Sequence, residues 1–217
     1  TRLPQAAALA SFLGKNTIFE IHDLPQGVLG PWLLNRFLGG SGARRLVVIT
    51  RALRDDLALR NFPTIIAPDG VDLERYGNLP DPVEARHELS LPDQFTVGYT
   101  GHLYPGRGVD MLISLAARLP EMSFLFVGGN PKDVEQTRKK VQIGELNNIT
   151  LTGFVPNSEL PAYQAACDVL LMPYQRRVSA SSGGDIAPYL SPMKLFEYLA
   201  CGRAIISSNL PVLCETL

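Results

Sequence analysis

QFTVGYTGHLYPGRGVDMLISLAARLPEMSFLFVGG, residues 94–129, runs from an apolar, β-rich segment through a glycine-rich loop and a helical pattern to a second apolar segment. Val109, Leu112, Ile113 and Ala116 follow the i, i+3, i+4, i+7 spacing of one buried helix face. SFLFVGG is continuously apolar, as a strand buried on both sides must be. Strand, helix, strand in this order predicts a parallel sheet with helices packed on its faces.

The rhythm continues in both directions. ITLTGFV, DVLLMPY and AIISS are further strand candidates downstream. Upstream stand TIFEI (17–21), a helix over residues 32–38, RLVVIT (45–50), the helix RALRDDLALR (51–60) and TIIAP (64–68). The polar, Pro-containing stretch over residues 69–89 breaks the pattern and marks a junction. The expected architecture is α/β with two Rossmann-like parallel-sheet domains, residues 1–80 and 94–217, joined by a linker over 81–93. The chain opens on Thr1, and PVLCETL stops inside a helical pattern. The first domain is therefore expected to be incomplete at its start and the second at its end.

With 217 residues and 46% hydrophobic content, the chain can bury a sizeable core and is not disordered. A formal net charge of −1 disfavours a nucleic-acid partner. Cys167, Cys201 and Cys214 have no metal-ligand spacing and read as small buried hydrophobes in a reducing, cytoplasmic setting. No apolar run approaches the roughly 18 residues that cross a bilayer. PWLLNRFL (31–38) reads as packing within the first domain, with an interfacial role at the inner face of a membrane left open.

In parallel sheets ligands bind beyond the carboxyl ends of the strands. In YTGHLYPGRGVD (99–110), Gly101, Gly106 and Gly108 permit a tight turn, and Arg107 brings a fixed cation to a helix amino end. That combination suits a phosphate; the alternative is an ordinary βα turn with a solvated Arg. The spacing is not GxGxxG, which disfavours a nicotinamide dinucleotide. In SPMKLFEYLACGRAIISS (191–208), Ser191 reads as an N-cap and Pro192 as the first helical residue. Lys194 then opposes the helix dipole at roughly 0.3–1 kcal/mol. An anion at the helix start would neutralise it. Glu197 lies about 9 Å further along the axis, at about 1.5 Å per residue, where a ribose attached to a bound diphosphate would fall. The alternative is a solvated i, i+3 Lys–Glu pair, although Met193 and Ala200 flank Glu197 on its helix face. His22 and Asp23 directly follow a strand, and RRVSASSGGDIAPY (176–189) is either a lid or a surface loop.

Taken in order, HD after an early strand, IIAPDGVD, GHLYPGRGVDMLI, FLFVGG, LTGFVPNSELPAYQAACDVLLMPY and SPMKLFEYLACGRAIISS resemble the retaining, nucleotide-sugar-dependent glycosyltransferases of family 4, which have the GT-B fold. The resemblance implies transfer of a sugar from a UDP- or GDP-sugar to an acceptor hydroxyl on a glycan, lipid-linked or small-molecule acceptor, with retention at the anomeric carbon. It implies no cofactor and no bound metal. Against the family's Gly-Arg-Leu-x-x-x-Lys-Gly loop, Gly101 keeps its place, Arg107 stands for the Lys and His102 for the Arg. Glu197 matches the second Glu of the family's Glu-x7-Glu motif, which implies a ribose-binding role, whereas Tyr189 replaces the first, whose contact would have to come from elsewhere, with Asp185 the candidate. Phe154 and Val155 match the nucleobase-contacting segment, and His22 matches a His that reaches the donor sugar. Arg107 and Lys194 would stabilise the leaving phosphate. Two other readings stand beside it: a GT-B sugar-nucleotide epimerase using Asp23 and Asp185, and a nucleotide-sugar-binding module without activity.

Overall fold

In the computed structural model, which describes residues 1–57, 59, 61–179 and 184–217, the apolar runs before Asp69 form a three-stranded parallel sheet. Helix α1 (Pro4–Phe12) precedes β1 (Thr17–Ile21), α2 (Leu29–Leu38) leads to β2 (Ala43–Val48), and α3 (Arg51–Asp56) leads to β3 (Thr64–Ile66). The strands lie in the order β1-β2-β3. Phe37 of α2 meets Phe19 and Phe62 edge-on, and Leu33 and Leu34 are buried with it. Leu29 and Trp32 of the same helix stay exposed, so PWLLNRFL is only partly core. Residues 58 and 60 of the expected helix over 51–60 lie outside the described residues. Helix α1 was not expected: PQAAALASF is too uniformly Ala-rich to show a helical period, although Ala is the strongest helix former.

The second unit holds a 3-10 turn (Leu73–Tyr76), then α4 (Pro82–Glu88), β4 (Thr96–Thr100), α5 (Val109–Arg118), β5 (Ser123–Val127), α6 (Pro131–Ile143), β6 (Ile149–Gly153), α7 (Leu160–Ala165), β7 (Val169–Met172), α8 (Met193–Cys201) and β8 (Ala204–Ser207). All five strands are parallel, in the order β6-β5-β4-β7-β8. β4, β5 and β7 are buried along their whole length, which explains their continuous apolar sequence. Val109, Leu112 and Ala116 of α5 pack against Tyr99, Phe124, Phe126 and Leu171, as the spacing requires.

The first unit comprises Thr1–Asp69, Pro188–Ser191 and Leu210–Leu217, and the second Gly70–Ala187 and Pro192–Asn209. This division differs from the expected 1–80 and 94–217 with a linker between. Residues 81–93 carry a capped helix: the Asp81 carboxylate accepts the Glu84 amide at 2.9 Å. Arg86, only 4% exposed, donates to the Ala166 carbonyl at 3.1 Å and to Asp168 at 2.9 Å. A buried ion pair thus fastens this polar segment to the second unit. Cys167 and Cys201 are buried, but Cys214 is exposed, against expectation. Among the described residues no helix is long and apolar enough to cross a membrane.

Candidate functional site

Strand β4 is the middle strand of its sheet, and the chain leaves it through Thr100 and Gly101 into the glycine loop. Gly101 has φ +127°, and a Cβ there would stand 3.0 Å from Lys194 Nζ. Only glycine lets the backbone pass beneath that ammonium. Gly108 precedes α5 with φ +81°, where a Cβ would strike the Pro173 carbonyl at 2.0 Å. The loop is therefore pressed against the chain that follows β7. Arg107 Nη1 donates to the Tyr174 hydroxyl at 3.0 Å, and the guanidinium carbon lies 5.2 Å from that ring's centre.

Helix α8 supplies the second cation. Lys194 is 9% exposed, and its Nζ sits 4.0 Å from the centre of the Tyr99 ring and 5.3 Å from that of Tyr174. Aromatic faces attract a desolvated cation by about 2 kcal/mol but accept none of its hydrogen bonds. Among the described residues neither Lys194 Nζ nor Arg107 Nε, both buried, has a hydrogen-bond partner. Burial, and next the Arg107 charge, push the Lys194 ammonium down to about 7, while Glu197 opposes the shift. The two cations therefore repel each other in a partly dry place. An anion with several acceptor oxygens would relieve both.

Glu197, half-buried one turn further along α8, accepts Gln164 Nε2 at 3.1 Å. The structure thus brings Gly101, Arg107, Lys194 and Glu197 into one region of the second unit. His102 follows Gly101; its ring stacks on Tyr104 at 4.6 Å and 3°, and its carbonyl accepts the Tyr99 hydroxyl at 2.6 Å. Burial first, then Arg107 and Lys194, lower the imidazole pKa, which disfavours a third positive charge at His102. Met193 opens α8 and is exposed. Phe154, 79% exposed, and Val155 follow β6, two strands from β4 or about 10 Å at the usual strand spacing.

Other sequence expectations fall elsewhere. The N-cap of α8 is Pro192, not Ser191, and makes no side-chain cap. Ser191 belongs to the first unit, where its hydroxyl accepts the Asp69 amide at 3.1 Å. His22 also lies in the first unit, 2.6 Å from Glu20, whose carboxyl Arg2 and then His22 hold down at about 2. The Tyr189 hydroxyl donates to Asp23 at 2.5 Å, within the same unit. Asp185 accepts the Val178 and Ala187 amides at 2.9 and 3.0 Å, so its carboxylate braces a turn. The loop expected over 176–189 includes residues 180–183, which lie outside the described residues. Tyr99, Tyr174 and Gln164 were not singled out in the sequence. Tyr99 and Tyr174 sit at or just beyond the carboxyl ends of β4 and β7, which was the available signal. Among the described residues no three His, Cys, Asp or Glu side chains are grouped to hold a metal ion.

A family model described as glycosyl transferases group 1 matches residues 94–217. A GDP-mannose-dependent alpha-(1-6)-phosphatidylinositol monomannoside mannosyltransferase of Mycolicibacterium smegmatis is 34% identical over 178 residues, 78% of this chain and 45% of its own length. The 2-deoxystreptamine glucosyltransferase of Streptomyces kanamyceticus is 28% identical over 216 residues, 96% of this chain and 52% of its own. The chain spans about half the length of these curated relatives. Among solved structures, Anabaena HepE in complex with UDP and glucose superposes with a TM-score of 0.73 at 20% identity, over 99% of this chain and 60% of its own.

Proposed function

Starting from the premise that the chain belongs to the glycosyl transferases group 1 and has their α/β GT-B fold, we propose that it moves a sugar from a nucleoside diphosphate-sugar to an acceptor hydroxyl, with retention of anomeric configuration. The observation that carries this reading is the Lys194 ammonium, buried between two tyrosine rings beside Arg107 and without a hydrogen-bond partner among the described residues. In this reading the donor's diphosphate accepts from Lys194 and Arg107, and Glu197 accepts from the ribose hydroxyls. Phe154 and Val155 flank the base. The bond from the anomeric carbon to the diphosphate oxygen breaks as the bond to the acceptor oxygen forms on the same face, and the acceptor's hydroxyl proton passes to the departing diphosphate. Charge gathering on the departing diphosphate meets two cations already in place, which requires neither reorganisation nor a bound metal.

The donor is a UDP- or GDP-sugar: the mycolicibacterial relative is named for GDP-mannose, and the Anabaena protein was solved with UDP. The acceptor class ranges from a lipid-linked glycan to a small molecule, as the names of the two relatives do. The epimerase reading loses support, because Asp185 and Asp23 are engaged in a turn and with Tyr189. Calorimetry of UDP and GDP against the full-length protein tests the reading. One nucleotide should bind, and Arg107→Met and Glu197→Gln should each weaken it about tenfold or more, as expected for lost charged contacts. Binding of neither nucleotide, or unchanged affinity in both variants, would overturn it.

A further inference from the structure

Gln164 lies on α7, is fully buried, and uses every polar atom of its side chain. Its Oε1 accepts the Tyr76 hydroxyl at 3.0 Å. Its Nε2 donates to Glu197 Oε2 at 3.1 Å and to Thr100 Oγ1 at 3.3 Å. Thr100 in turn donates to the Tyr198 hydroxyl from its amide at 2.9 Å and from its own hydroxyl at 3.2 Å. All five residues belong to the second unit.

We infer that Gln164 is a positioning residue for Glu197, fixing which carboxylate oxygen is offered to the pentose of a bound nucleotide. This rests on the donor-site reading above. An amide suits the place because it donates and accepts at once. The Tyr76 hydroxyl takes its oxygen, so the NH2 group can face only the carboxylate and the threonine. Burial and the nearby Glu197 charge raise the Tyr76 pKa, which keeps that hydroxyl a donor. Glu197 Oε2 is thereby committed within the protein. Among the described residues Oε1 accepts no hydrogen bond, which leaves it for ligand hydroxyls. A carboxylate at position 164 would face Glu197 at hydrogen-bond distance and force one of the two to hold a proton. Thr100 is the last residue of β4, so the same amide ties Glu197 to the strand end from which the cation loop departs. Gln164 thus sets the spacing between the pentose contact and the diphosphate contact.

The test measures binding of UDP, GDP and their 2′,3′-dideoxy counterparts to the full-length protein, to Gln164→Met, and to Gln164→Met in a Glu197→Ala background. Gln164→Met should weaken the ribonucleotide about tenfold, the dideoxynucleotide less than about twofold, and have no effect once Glu197 is absent. Tyr76→Phe, which frees the amide without opening a cavity, should shift the same ratio in the same direction and serves if Gln164→Met does not fold. Equal weakening of both nucleotides, or an effect that persists without Glu197, would overturn the inference. If Glu197→Ala alone weakens the ribonucleotide and the Gln164 and Tyr76 variants do not, the inference fails while the donor site stands. If the wild-type protein binds neither nucleotide, both fail together.

Discussion

Replacing Lys194 with Met should make the protein more stable below pH 7 and poorer at holding a nucleoside diphosphate. Met has similar length and keeps contact with Tyr99 and Tyr174, but removes the buried charge. A fall in the ammonium pKa from the ordinary 10.5 to about 7 corresponds, at about 1.4 kcal/mol per unit, to a penalty of at most about 5 kcal/mol. Below pH 7 the folded and unfolded chains both carry the proton, and the whole penalty stands. Between about 7 and 10.5 the unfolded chain holds the proton and the folded chain does not, so wild-type stability rises with pH across that window. The Met variant lacks this dependence. Its advantage should therefore be largest near pH 6, about 2–5 kcal/mol, and should shrink toward pH 9. At roughly 2–4 °C per kcal/mol for a chain of this size, the melting temperature at pH 6 should rise by at least about 4 °C. Thermal denaturation at pH 6, 7.5 and 9, with and without millimolar UDP or GDP, reads both effects. The nucleotide should raise the wild-type melting temperature and leave the variant's nearly unchanged. A variant that melts below wild type at pH 6 and still responds fully to nucleotide would refute this account of Lys194.

Gly101→Ala sets a methyl 3.0 Å from Lys194 Nζ on a backbone at φ +127°, so it should weaken nucleoside diphosphate binding at least about tenfold in calorimetry. Its destabilisation should stay near 1–3 kcal/mol, the usual size of such backbone strain, as read by urea unfolding. Arg86→Met leaves Asp168 with the Thr96 amide, at 2.7 Å, but without its buried cation. Loss of one partner of such a pair typically costs about 3–5 kcal/mol, so urea unfolding should show a marked fall in stability, and nucleotide affinity should be unchanged wherever the protein remains folded.

The central parallel strands were legible because strands buried on both faces must be apolar throughout: the expected SFLFVGG contains β5, which stops at Val127 before the two glycines. TIFEI coincides with β1 residue for residue, although that strand alternates buried side chains with more exposed ones. Lys194 and Glu197 stood out because charges in an apolar helix need a reason. What surrounds them could not be read locally. Gln164 reaches Tyr76, Thr100 and Glu197 across 88, 64 and 33 residues of sequence, and no local spacing encodes such meetings. Residues 81–93 look like a linker because their composition is polar, yet Arg86 is buried by its pairing with Asp168. Ser191 has the chemistry of an N-cap, but its hydroxyl is taken by the Asp69 amide and the helix starts later.

Helix α8 and strand β8 are an island. The chain passes between units after Asp69, after Ala187, after Ser191 and after Asn209, so the piece over 192–209 is threaded to the other unit at both ends. A gene fragment covering 70–187 would encode a sheet missing its β8 edge and a binding region missing Lys194 and Glu197. On the ribosome, the second unit stays unfinished until the chain has visited the first twice. A single proteolytic nick after Asp69 would leave only Pro188–Ser191 and Leu210–Leu217 of the first unit covalently joined to the second, and the rest of that unit would be held to those segments by non-covalent contacts alone.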